Sequence, residues 1–442
     1  MDVGQSARLM RLRHMGRMPL VSPRLWWRRV VFWVGAVVVA CVAVAFAGAA
    51  NWATSLFLHA IAGRTWLAFV IAPAGLTLAF LLTKHVFPGA QGSGIPQTIA
   101  ALHMNDPGLV SRVLSLRIAV GKVLLTLLGL ASGASIGREG PTVQVGASVM
   151  HALGNLLRLP RPELRRALVL AGGAAGIAGA FNTPLAGIVF AIEELSHSFE
   201  ARTSGTVFTA VIIAGATTLG LVGNYTYFGQ TAAQLSNQAA VIAVILCSVI
   251  GGLAGGIFSQ SLIVAARGLP GLAGRLIIRY PVAFAALCGL LLALIGTLSG
   301  NQTYGTGYDQ AKGMLEEHAV LPPVYALLKL AATVVSYVSG IPGGIFAPSL
   351  SIGAAMGSVL APLVPGAPLG AMILLGMTAY FSGVVQAPIT ATVIVMEMTA
   401  NQSLTIPLMA TAFLSFAVSR LVCRRPLYSA LARRFLEVQG QG

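Results

Sequence analysis

Four of the chain's twelve acidic residues, Glu139, Glu193, Glu194 and Glu397, stand inside strongly apolar sequence. A charged carboxylate at the centre of a bilayer costs at least about 2.5 kcal/mol on insertion scales, so acids kept there carry protons or ions, or are neutralised by a partner. The same apolar stretches are broken by three turns rich in glycine and proline: GSGIP (92–96), GREGP (137–141) and GIFAP (344–348). Proline is favoured in the first turn of a helix, where its missing N–H costs nothing. The free amides of that turn and the helix dipole then make an anion site that needs no full positive charge. Such a site suits transport, because binding must be weak enough for the ion to leave again. Glu139 lies within the second turn. Ionised, its side chain can occupy the position an anion would take; protonated, it can leave. For any one turn an ordinary helix break explains the residues equally well, and Glu193 and Glu194 also read as solvated charge at a helix end. Glu397 reads as structural. Lys122 and Lys329 are lone cations within apolar runs, suited either to snorkelling or to setting the potential of a nearby site. GASIG (133–137) fits the G-x-S-x-G pattern of a serine hydrolase. That elbow needs a preceding strand and orienting acid and histidine partners, and neither His151 nor His197 has one in the sequence. The chain does not read as an enzyme, and no metal or other cofactor is expected.

The elements that hold these residues are membrane helices. Of 442 residues, 56% are hydrophobic and 9% charged, with a mean hydropathy of +0.83; soluble domains carry about a quarter charged residues. Runs at 30–50, 66–82, 240–252 and 282–298 read as spans. The net charge of +16 gathers at the ends. Arg8, Arg11, Arg13, Arg17, Arg24, Arg28 and Arg29 precede the first span, and Arg420, Arg424, Arg425, Arg433 and Arg434 follow the last. The positive-inside rule then places both termini in the cytoplasm. A nucleic-acid-binding arm is excluded by the lack of an accompanying soluble domain, and the basic region before the first apolar run is too long for a cleaved signal peptide. Cys41, Cys247, Cys288 and Cys423 show no metal-ligand spacing and read as packing residues.

The sequence also repeats. At an offset of 207 residues, Lys122 falls on Lys329, Thr126 on Thr333, Gly137 on Gly344, Pro141 on Pro348 and Gly146 on Gly353. At an offset of 204, NTPLAGIVFAIEEL (182–195) falls on QAPITATVIVMEMT (386–399), pairing Pro184 with Pro388 and Glu193 with Glu397. Chance apolar similarity does not match Gly, Pro, Lys and Glu in order. We divide the chain into a basic segment 1–30, membrane halves 31–225 and 226–422, and a C-terminal segment 423–442 that carries Tyr428. Duplicated halves are common in transporters, which bind their substrates near the midplane between discontinuous helices. Segments 142–158, 168–180 and 184–196 are indeed shorter than the ~20 residues needed to cross. Gly172/Gly176 and Gly251/Gly255 offer faces for close helix packing.

Five motifs in order, GSGIP, GREGP, FNTPLAGIVFAIEEL, GGIFAPSLSIG and RPLYSA, resemble those of the CLC chloride channels and Cl⁻/H⁺ antiporters, most closely the bacterial antiporters, over roughly residues 30 to 436. The resemblance implies an all-α polytopic inverted repeat of about 18 membrane-embedded helices, many tilted or not fully spanning. It implies a homodimer with one pore per subunit in the cell (inner) membrane, moving chloride and protons. By motif, the hydroxyls of Ser93 and Tyr428 and the amides of Ile345 and Phe346 would hold a central chloride. The backbone of Arg138, Glu139, Phe346 and Ala347 would form an outer site, and Gly92 with Ser93 an inner one. Glu139 resembles the family's gating and outer proton glutamate, Glu194 the inner proton-transfer glutamate. Serine in the first turn resembles the chloride-selective members, whereas the fluoride exporters lack both the serine and the tyrosine. Gln97 stands where many relatives have an acid. The nucleotide-binding domains of many eukaryotic relatives are not in the sequence, so no nucleotide regulation is expected. The expected activity is secondary active exchange of chloride for protons; the alternative is a passive, voltage- or pH-gated chloride channel with the same pore.

Overall fold

A computed structural model describes residues 23–157, 162–196, 201–317 and 319–439; Arg8, Arg11, Arg13, Arg17 and His197 lie outside the described residues. The first half runs α1 (Pro23–Ile61), α2 (Ala68–His85), α3 (Ile95–His103), α4 (Pro107–Val113), α5 (Leu116–Leu130), α6 (Glu139–Leu156), α7 (Pro162–Phe181), α8 (Pro184–Phe190) and α9 (Ala201–Val222). The second runs α10 (Asn237–Arg267), α11 (Gly271–Arg279), α12 (Pro281–Leu298), α13 (Tyr308–Glu316), α14 (Tyr325–Val338), α15 (Phe346–Leu360), α16 (Leu369–Val385), α17 (Pro388–Thr399) and α18 (Thr405–Val422), followed by α19 (Leu427–Gln439). In lipid every backbone polar group must be satisfied within the protein, which leaves helices as the default for such apolar sequence. Among the described residues, nine stretches are long and apolar enough to cross a membrane, so this is a multi-pass membrane protein. One of them is Pro162–Phe181, 20 residues long. The sequence made it look like a shorter piece, 168–180, because Glu163, Arg165 and Arg166 occupy its first turns.

The halves repeat each other contact by contact. Helices α5 to α9 correspond to α14 to α18. Gly146 of α6 lies so close to α7 that an added Cβ would sit 2.3 Å from the carbonyl oxygen of Gly172. In the second half, a Cβ on Gly353 of α15 would sit 2.6 Å from the carbonyl oxygen of Gly376 of α16. Gly251 and Gly255 of α10 press against Ala379, Tyr380 and Gly383 of α16 in the same manner. Glycine is required at such crossings because the neighbouring backbone occupies the volume of a side chain.

A further correspondence was hidden by an irregular offset. Gly94, left-handed at φ 99°, precedes α3, and Gly307, left-handed at φ 80°, precedes α13. GSGIPQ (92–97) therefore matches GTGYDQ (305–310), 213 residues on. The lysines serve these two turns. Lys122 Nζ donates to the carbonyls of Gly92 (2.8 Å) and Gln91 (3.3 Å), and Lys329 Nζ to those of Gly305 (2.8 Å) and Thr303 (2.9 Å). Both side chains are fully buried, so neither snorkels. Each satisfies carbonyls that no helix ladder reaches, which is what irregular backbone inside a membrane demands.

Gly172→Ala is expected to separate α6 from α7 and to destabilise the fold by about 1–3 kcal/mol, read as a lower melting midpoint in detergent. Gly48→Ala, with nothing within 4 Å of the added carbon, should melt no earlier than the parent. Equal melting of all three proteins would refute the close-packing account.

Candidate functional site

At the centre of the molecule the turns before α6 and α15 lie side by side. Gly137 N–H donates to Gly344 O (2.6 Å) and Gly344 N–H to Gly137 O (2.7 Å), a two-residue antiparallel bridge. The duplicated helices thus begin at one point and depart in opposite senses. Each leaves its first amides without an intrahelical partner. The turn before α3 joins them, since Gly92 N–H donates to Ile341 O (3.3 Å) and Gly343 N–H to Gly92 O (3.1 Å). The two SGIP copies therefore touch, but only the first opens a helix. The second is the extended connection that brings α15 to the pair.

Side chains complete the cluster. Ser93 Oγ lies beside the start of α6, 2.3 Å from where a Cβ on Gly140 would be. The ring of Tyr428, in the first turn of α19, stacks on Phe346 with centroids 6.2 Å apart. Ser93 and Tyr428 are buried, and neither hydroxyl has a hydrogen-bond partner in the protein. Two buried hydroxyl donors beside two helix N-termini form a pocket of donors without an acceptor, and an orphaned donor inside a protein is costly unless a ligand uses it. Ile345 is the N-cap of α15, whose first residues are Phe346 and Ala347. Glu139, the first residue of α6, is fully buried. Its Oε1 accepts from Tyr227 Oη at 3.4 Å. Its Oε2 makes no hydrogen bond and lies against Gly137, near the amide of Ala347. Arg138 turns its guanidinium away, donating through Nη1 to Ala47 O and to Asn51 Oδ1 (2.8 Å) on α1. Its hydrogen bonds run to α1, while its charge stays near Glu139 and over the Tyr227 ring, 5.9 Å from the ring centre. Gln97 caps α3: its Oε1 accepts from Gly94 N–H at 3.1 Å and its Nε2 donates to Gln91 O at 2.5 Å.

Glu194 lies on the far side of the aromatic core. Beyond Phe190, α8 loosens into a π-helical turn, Ala191–Ser196, a feature that often marks functional sites. Glu194 is buried there with Oε1 unpartnered. Glu193 points the other way, accepting from the amides of Ile389 (3.2 Å) and Thr390 (2.6 Å) at the start of α17. Glu397 of α17 reciprocates, accepting from Leu185 (3.2 Å) and Ala186 (2.8 Å) at the start of α8. Each acid caps the other repeat's helix, and that exchange fixes the turn on which Glu194 sits. Ring contacts run from Phe190 to Phe346 (6.0 Å), Phe346 to Phe181 (6.1 Å) and Phe181 to Tyr227 (5.2 Å). An aromatic bridge thus leads from beside Glu194 to Glu139. On the side of the GSGIP turn a cavity of about 900 Å³ opens onto Gly92 and Ser93. Among the described residues its wall carries Arg112, Arg117 and Arg434, and no acid. The charge of that wall favours anions.

A voltage gated chloride channel family profile matches residues 74–420. The chain belongs to this family, the CLC proteins. The H(+)/Cl(-) exchange transporter ClcA of Yersinia pestis bv. Antiqua is 32% identical to this CLC protein over 431 residues, covering 92% of this chain and 87% of that one. ClcA of Klebsiella pneumoniae subsp. pneumoniae is 31% identical over 424 residues, covering 90% and 86%. Among solved structures, a slow cyanobacterial Cl⁻/H⁺ antiporter superposes with a TM-score of 0.80 at 25% identity, covering 93% of this chain and 99% of that one. A CLC-type fluoride/proton antiporter shares the fold at a TM-score of 0.77 and 23% identity, covering 91% and 98%.

Sequence reasoning passed over Tyr227 and Asn182. The signal for Tyr227 was the aromatic run YTYF (225–228), flanked by glycines between two apolar spans. For Asn182 it was the match of NTP with QAP at the same offset that pairs the glutamates. Glu193→Ala and Glu397→Ala should each destabilise this CLC protein by about 1–3 kcal/mol, the worth of a charged cap, and lower its melting midpoint in detergent by a few degrees. Unchanged melting in both variants would dismiss the reciprocal caps.

Proposed function

We propose that this protein is a secondary active antiporter that exchanges chloride for protons. The observation that carries the reading is the pair of buried, acceptor-less hydroxyls of Ser93 and Tyr428 beside the joined helix N-termini. In this reading a chloride takes the two hydroxyls and the amides of Ile345 and Phe346. An inner position lies at Gly92 and Ser93, open to the arginine-lined cavity. An outer position lies at the backbone of Arg138, Glu139, Phe346 and Ala347, where the Glu139 carboxylate and the anion take turns. All these donors are neutral hydroxyls and peptide dipoles, so the anion is held without an ion pair and can move on.

Protons follow a separate inner route. Glu194 takes a proton on the side of the cavity and Glu139 on the opposite side, and the proton passes between them by water. The phenyl rings of Phe190, Phe346 and Phe181 on that bridge have no group to relay it. Charging a buried carboxylate is costly, which ties each protonation step to a change of occupant at the outer position. Glu194 supports exchange over a passive channel, since a channel has no use for a buried acid off the anion path. The reading includes a homodimer with one pore per subunit, a place in the cell (inner) membrane with both termini cytoplasmic, and repeat halves at 31–225 and 226–422 with the tail 423–442 supplying Tyr428.

In proteoliposomes, a chloride gradient should drive protons uphill; chloride flux alone would mean a channel. Glu194→Gln is expected to lose proton movement and keep chloride flux. Glu139→Gln should pass chloride independently of protons, and intact coupling in that variant would discard its gating role. Tyr428→Phe keeps the ring and removes one donor, which should weaken chloride binding about tenfold or more, measured by titration calorimetry.

A further inference from the structure

The inverted repeat supplies a second tyrosine on the opposite side of the site. Asn182 and Gln386 match across the repeat, and both are left-handed non-glycine residues, at φ 58° and 59°. Each follows a helix, α7 or α16, and each uses its side-chain amide to hold the chain just beyond α9 or α18. Asn182 Nδ2 donates to Tyr225 O (3.1 Å) and Gly223 O (3.5 Å). Gln386 Nε2 donates to Cys423 O (2.6 Å) and Ser419 Oγ (3.2 Å). From these anchors one segment delivers Tyr428 beside Ser93, and the other delivers Tyr227 to Glu139. The Tyr227 ring is wedged between Phe181 (5.2 Å), Phe228 (4.9 Å) and Tyr308 (4.8 Å), with Arg138 over its face at 5.9 Å. Phe228 N–H is in turn tied to Met398 O at 3.1 Å. The phenol therefore cannot swing freely, and its donor is aimed at Oε1 of the carboxylate.

We infer that Tyr227 is a latch: a positioning residue whose hydroxyl holds the charged Glu139 carboxylate in its buried, pore-blocking position and so sets the pH at which the pathway opens. The inference rests on Glu139 being the gate. The other charged or titratable groups near this pair are Arg138 at the start of α6, Tyr225 in the same loop, Tyr308 of α13 with Lys312 over its ring, and Tyr428 of α19. None of these side chains makes a hydrogen bond to the Glu139 carboxylate, which also lies against the backbone amides of Glu139 and Ala347. A donor to a carboxylate favours the charged form, and protonation releases it. Removing the donor makes release easier at a given proton concentration, so opening moves to higher pH.

Tyr227→Phe keeps the ring packing and deletes the donor. In proteoliposomes its chloride turnover should rise at neutral pH, and its pH–rate profile should move upward by up to about one unit, a tenfold change in the protonation equilibrium. Protons should remain coupled. Asn182→Gly tolerates the left-handed backbone and frees the loop; it should move the profile in the same direction. In the Glu139→Gln background, where position 139 no longer titrates, Tyr227→Phe should not shift the pH–rate profile, which a merely structural tyrosine would not satisfy. A Tyr227→Phe profile that superimposes on the parent's, or an added shift in the Glu139→Gln background, overturns the latch. If Glu139→Gln alone left coupling intact, the gating reading itself would fall, a result distinct from either.

Discussion

Two helix N-termini meet inside a membrane, and their unspent N–H groups are the constraint around which this protein is built. The Gly137–Gly344 bridge satisfies one amide and one carbonyl on each side and leaves the amides that follow. In water those groups would be solvated at no cost. At bilayer depth they must be buried and matched or offered to a ligand. The surrounding features answer that demand: lysines tied to carbonyls behind the turns, Gln97 folded back on its own helix start, glycines that let α6 and α15 lie against their neighbours. Among the donors left unmatched, the hydroxyls of Ser93 and Tyr428 lie where the three turns converge. Placing peptide dipoles there, with the nearest guanidinium turned toward α1, gives attraction without the grip of an ion pair.

The division of labour follows from the same arrangement. In the proposed exchange, anions are handled by permanent dipoles that do not change state, and protons by two carboxyls that do, Glu139 inside the anion pathway and Glu194 outside it. Adjacent glutamates have opposite surroundings: Glu193, like its repeat mate Glu397, spends its charge on amides of the opposite repeat, while Glu194 has an oxygen that nothing in the protein engages.

Much of this was legible in the sequence because glycine, proline and buried acids are costly in a membrane helix and stand out there. GREGP and GIFAP identified the joined helix starts, and the repeat placed Glu397 against Glu193. What stayed hidden has definite physical causes. The match of GSGIPQ with GTGYDQ was lost because its offset differs from those of the neighbouring helices. The full length of α7 was masked by charges in its first turns. Whether Lys122 and Lys329 faced lipid or protein depended on distant carbonyls that no local pattern reveals. Tyr227 is an ordinary residue in a loop until the fold carries it 88 positions back to Glu139. Interactions that span halves are invisible to periodicity, and this site is made almost wholly of them.

The exchange of caps between α8 and α17 has a consequence for how the chain is made. The amides of Leu185 and Ala186 find their acceptors on Glu397, more than two hundred positions later. At about 5–20 residues per second of synthesis, the nascent first repeat waits some ten seconds or more before its partner emerges. During that interval α8 cannot take its final place in lipid with its start uncapped. The caps shared by the two repeats can therefore close only after Glu397 has been made, late in synthesis.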